Sequence, residues 1–151
     1  MSDIDPQSED ECLAWIGRGE CDFRSAQLLV NADFPIPETA CFHAQQAAEK
    51  VIKAFLVSKK CSFARTHNLG LLLRAAINLE SIFLSLQDDC DFLTPYAVET
   101  RYPGEIGKVA IEEADRSIAS MMKIWQAFAD HLPSASRELA LNTLKRDRKN
   151  Q

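Results

Sequence analysis

Between Ala40 and Val57 the chain reads ACFHAQQAAEKVIKAFLV. Set out at about 100° per residue, Ala40, Ala44, Ala47, Ala48, Val51, Ile52, Phe55 and Leu56 make one broad apolar stripe. His43, Gln46, Lys50 and Lys53 collect on the opposite side. No Gly or Pro interrupts the run, and Ala, Gln, Glu, Lys and Leu all favour helix. The pattern predicts a central amphipathic helix with one wide buried face.

The same period recurs before and after it. Leu13, Ile16, Phe23, Ala26, Leu29 and Val30, with Trp15 beside them, predict a first helix from about Ser8 to Ala32. Gly17 and Gly19 each weaken it by about 1 kcal/mol relative to Ala, or else permit close helix packing. Asn31 to Glu38 carries two prolines and reads as a turn. The central helix fades at Ser58 to Lys60, and Phe63 is placed to pack back on the core. Thr66 or Asn68 caps a third helix over His67 to Leu79, apolar on most sides. Residues 80–102 keep a helical spacing across Pro95, which predicts a helix near 86–101 with a break or bend at Thr94. It ends at Tyr102, ahead of Pro103 and Gly104, and Glu105 to Lys108 is a short loop. Ile111, Ala114, Ile118, Met121, Trp125 and Phe128 then predict a long helix over Val109 to Leu132, stopped by Pro133. The tail forms one more short helix, capped by Ser134 or Ser136. No stretch alternates like a strand. The expectation is an all-α fold, an antiparallel up-and-down bundle of four to five helices. It is one domain over 1–151, with a core at about 10–132 and a basic tail at 133–151.

Composition narrows the function classes. A net charge of −5 disfavours an extended nucleic-acid-binding surface. Five cysteines, widely spread and without a CxxC pair, suit a reducing compartment and give no zinc spacing. No secretory leader or membrane-spanning run is evident, so a cytoplasmic location is expected. The chain carries no GxGxxG, P-loop, HExxH or GxSxG motif, so no cofactor and no metal is expected. Asp88, Asp89 and Asp91 read as a solvated turn.

Three places hold candidate chemistry. His43, Gln46, Lys50 and Lys53 on one helix face suit a phosphate, or form an ordinary solvated face. His67, after Arg65 and Thr66 at a helix start, is an anion contact or part of the cap. Arg101 and Tyr102, before Pro103-Gly104-Glu105, combine a cation and a ring on a loop, or simply stop a helix. His131 is favoured as a cation at a helix end and carries no assigned role.

The blocks FHAQQAAEKVIKAFL, RTHNLGLLL, LTPYAVETRYPGE and EEADRSI, in that order, resemble the HEPN domain (higher eukaryotes and prokaryotes nucleotide-binding) over about residues 10–130. The resemblance implies a helical bundle, a homodimer and a minimal nucleotidyltransferase as neighbour and partner. Many members of the family are metal-independent ribonucleases of toxin–antitoxin pairs, with an Arg followed after four to six residues by a His. Arg101 falls where that Arg is expected, but Tyr102 to Lys108 contains no His. No Arg precedes His43, His67 or His131 at that spacing. Cleavage of RNA without metal needs a group that takes the 2′-hydroxyl proton, usually His. The expectation is therefore a non-catalytic HEPN protein that binds a nucleotide, partners a nucleotidyltransferase, or both. The rivals are a divergent ribonuclease using Arg101 with His43 or His67, and a plain dimerisation scaffold.

Overall fold

The computed structural model describes residues 6–98 and 109–149. Among these, six α-helices and two 3-10 turns form an all-α bundle without strands. The helices are α1 (Pro6–Asn31), α2 (Pro37–Ser58), α3 (Leu69–Leu79), α4 (Gln87–Leu93), α5 (Ile111–Ala129) and α6 (Ser134–Lys149). The fold class is as the periodicity predicts, with a larger number of helices. The tail, predicted as a short helix, holds 16 residues and packs. Trp125 Nε1 donates to the Ala140 carbonyl (3.0 Å), and Arg146 pairs with Glu20 of α1 (3.0 Å).

Each boundary has a local cause. Pro37 opens α2, where its missing N–H costs nothing. Lys60 closes it in the left-handed region (φ 54), and the Cys61 N–H reaches back to the Leu56 carbonyl (2.9 Å). Asn68 caps α3 by accepting from the Leu71 N–H (3.2 Å), while the Thr66 hydroxyl accepts from the Asn68 N–H (3.0 Å).

The predicted helix over 86–101 is shorter and broken. Ser81–Leu86 is a 3-10 turn, α4 ends at Leu93, and Thr94–Ala97 is a second 3-10 turn begun by Pro95. Val98 is already extended. Thr94 does not cap its own turn. Its hydroxyl donates to the Cys90 carbonyl (2.8 Å) and accepts from the Leu69 N–H (3.2 Å), so it serves the start of α3. The predicted loop at Glu105 to Lys108 and the helix end at Tyr102 lie outside the described residues.

Named contacts give the directions of the helices. Asp22 meets His43 and Lys50 while the earlier Trp15 meets the later Lys53, so α1 and α2 run antiparallel. The 59–68 segment then climbs back beside α2, because His67 reaches Gln45 and Glu49. It delivers α3 parallel to α2. Helix α4 returns, and α5 descends against it, with Asp89 on Ser120 (2.7 Å) and the Arg116 guanidinium 3.9 Å from the Phe92 ring centroid. Cys41 with Ser117 (3.2 Å) and Phe55 with Phe128 (5.4 Å) place α5 parallel to α2. Up-and-down alternation thus holds between chain neighbours except from α2 to α3.

Helix α2 is the centre. Its apolar side meets Phe83 and Phe128, which stack at 4.0 Å, and Phe55 packs edge-on against both. The two glycines of α1 differ. A Cβ on Gly19 would stand 2.9 Å from the Trp125 ring and 3.2 Å from Lys50 Cβ, so its bareness brings α1 close to α2 and α5. Gly17 meets nothing within 4 Å.

Candidate functional site

The polar side of α2 is only partly open to water. Gln45 is fully buried, Glu49 is 3% exposed and Lys53 7% exposed. Helix α1 covers one part of this side and the 59–68 segment covers the rest. Of the four residues grouped by period, Lys53 is buried, while His43, Gln46 and Lys50 are partly exposed and each is held by a neighbour. Covering charged groups is costly unless each finds a partner, and here each does.

The partners form a continuous chain. Asp22 of α1 accepts from His43 Nδ1 (2.8 Å) and from Lys50 Nζ. Lys50 also donates to Gln46 Oε1 (3.3 Å), and Gln46 Nε2 donates to Gln45 Oε1 (2.7 Å). Gln45 Nε2 donates to the His67 carbonyl (2.9 Å). The His67 ring returns from Nδ1 to Glu49 Oε1 (2.8 Å), and Lys53 donates to Glu49 Oε2 (3.2 Å). The Lys53 ammonium also lies 5.4 Å from the Trp15 ring and 5.8 Å from the Phe63 ring, so the cation sits among aromatic faces. Phe63 packs back on the core as expected, although it is only partly buried.

The structure thus brings five candidates together, His43, Gln46 and Lys50 around Asp22, Lys53 and His67 around Glu49. Arg101 and Tyr102 lie outside the described residues. His131 pairs elsewhere, with Glu80 (2.7 Å), beside Phe83. Asp89 and Asp91 belong to α4 and are engaged by Ser120, Lys123 and Gln87. Among the described residues no group of three or more His, Cys, Asp or Glu is arranged to hold a metal ion.

The chemistry of the cluster follows from its pairing. An ionised carboxylate only accepts, so each imidazole presents Nδ1–H to it and leaves Nε2 as the acceptor of the neutral ring. His43 oriented by Asp22 has the arrangement of a positioned base. Two lysines against two carboxylates leave the cluster near neutral, so it is a poor anion trap by charge alone.

Four contributors escaped the reading of the sequence. Glu49 had a local signal, because Glu followed by Lys four residues on is a helical pair. Asp22, Gln45 and Trp15 had none, since their partners are distant in the chain.

The HEPN domain model matches residues 12–132. The chain belongs to the HEPN family. Two solved structures share the HEPN fold of this chain. The crystal structure of ST0689, an archaeal HEPN homologue, is similar at TM-score 0.65 and 21% identity, covering 81% of this chain and 98% of that one. That of TT1696 from Thermus thermophilus is similar at TM-score 0.67 and 24% identity, covering 80% and 98%. No curated protein matches in sequence. No helix among the described residues is long and apolar enough to cross a membrane.

Proposed function

We propose that this HEPN protein is a non-catalytic subunit, acting as a homodimer that associates with a minimal nucleotidyltransferase and holds a nucleotide through the cationic part of the α1–α2 face. One observation carries the non-catalytic part of this reading. No His in the chain follows an Arg at the spacing RNA cleavage uses. Family membership supports the partner. Co-expression with the product of a neighbouring nucleotidyltransferase gene should yield a complex through size-exclusion chromatography, and RNA incubated with the purified protein should stay intact. Failure to associate, together with no shift of melting temperature by any nucleotide, overturns the proposal.

A second reading has its own support. His43, oriented by Asp22 with Lys50 beside it, is arranged as a general base. RNA cleavage that His43→Ala and Arg101→Ala both abolish would make the protein a divergent ribonuclease instead.

A further inference from the structure

Glu11, Ala14, Trp15 and Arg18 share one side of α1 and, with Lys50 of α2, line a groove of about 270 Å³. Its ends differ in chemistry. Glu11 and Arg18 are both exposed and are seven residues apart, about 10.5 Å along the axis at the helical rise of 1.5 Å. One end accepts hydrogen bonds and the other donates them, while Trp15 and Ala14 between them are apolar. At the Arg18 end, Lys50 adds an N–H donor whose charge Asp22 balances, so Arg18 supplies the net positive charge there.

We propose that this groove binds a nucleoside monophosphate whose base carries an exocyclic amine. The amine donates to Glu11, the ring packs on Trp15, and the phosphate lies between Arg18 and Lys50. The proposal rests on the reading that the protein holds a nucleotide, and it narrows the ligand and moves the contact. An indole is a stacking platform for any base. A guanidinium matches phosphate geometry in two parallel bonds. A carboxylate accepts hydrogen bonds from an amine. The groove is below the roughly 300–1,000 Å³ of drug-sized sites, which suits a single nucleotide and not a triphosphate or an RNA strand. A docked protein helix would look for several large apolar anchors, and Trp15 is the one large apolar residue lining the groove.

Trp125 is fully buried against Phe23, so intrinsic fluorescence that responds to ligand reports Trp15. Titration with AMP should quench it, with adenosine and ribose 5-phosphate each binding more weakly. Arg18→Ala, on an exposed position, should leave the melting temperature unchanged and weaken AMP by at least about tenfold, the loss of one charge-assisted contact. Trp15→Leu, followed by calorimetry, should weaken it by at least about fivefold. If AMP binds the wild type and Arg18→Ala equally, the groove assignment is wrong while the nucleotide reading stands. If none of AMP, CMP, GTP and ATP binds, both fall. If no AMP binds and Arg18→Glu changes the sedimentation coefficient, the face is a protein contact and the proposal is overturned.

Discussion

Helix α2 has two buried sides that are satisfied in opposite ways. Toward α5 and the 81–86 turn it is aromatic, with Phe55 against Phe83 and Phe128. Toward α1 and the 59–68 segment it is ionic, with Asp22, Gln45, Glu49, Lys50 and Lys53 in one chain of hydrogen bonds. Apolar burial is non-directional and asks only for volume and shape. A buried ionic chain asks for every partner, because a charge left alone forfeits its solvation. The aromatic side therefore stabilises the bundle, and the ionic side specifies which α1 and which segment it will accept.

Substitution separates the two sides. Phe128→Ala should cost about 3–5 kcal/mol in urea unfolding, with nothing at a neighbouring position to restore it. Glu49→Gln should cost about as much, roughly 3–5 kcal/mol, because it strands the Lys53 ammonium. The double change Glu49→Gln, Lys53→Met should recover most of that loss. If the double variant is no more stable than Glu49→Gln alone, the ionic side is not held together by pairing.

The glycines of α1 sharpen the comparison at smaller magnitude. Gly19→Ala should lose about 1–3 kcal/mol, since Trp125 in the core cannot yield to the new methyl group. Gly17→Ala, in open space, should gain about 0.5–1 kcal/mol by favouring the helix. Equal effects in thermal unfolding would mean that α1 is not pressed on α2 and α5 at Gly19.

Near neutral pH the smallest effect belongs to the cysteines. Burial, and then the charges of Asp89 and Asp91, push the Cys90 thiol up to about 12. Burial also raises Cys12, partly offset by the Ser136 hydroxyl and reinforced by Glu9. The folded state therefore keeps these protons where the unfolded chain gives them up. Their contribution is intact below pH 9 and is lost as the pH rises from 9 toward 12. Melting temperatures across that window should fall less steeply in Cys90→Ala. At pH 8 a thiol reagent should label Cys21 fast and Cys61 slowly. It should label the buried Cys12, Cys41 and Cys90 only after unfolding.

Much of the fold was legible in the chain. The stripes of α1, α2 and α5, the Pro37 and Pro133 boundaries and the Asn68 cap follow from local period and local hydrogen bonding. The region around α4 was less legible, because its 3-10 turns keep apolar spacing while departing from α geometry. The candidate site was half legible. Periodicity grouped His43, Gln46, Lys50 and Lys53, since side chains three and four apart share a face. It could not say what stood opposite.

Helical period and the family's sequence blocks, on their own, determined an all-α bundle of the HEPN type with a central alanine-rich helix and no Arg–His cleavage motif. Those properties are local or linear, so the order of residues contains them. Only the tertiary structure decided that the polar face of α2 is partly covered, that Asp22 and Glu49 neutralise its cations, and that Trp15 and Arg18 border a groove beside Lys50. Each depends on how closely α1 and the 59–68 segment approach α2. For α1 that distance is set by packing of Gly19 on Trp125, and for the segment by His67 on Gln45 and Glu49, between residues far apart in the chain.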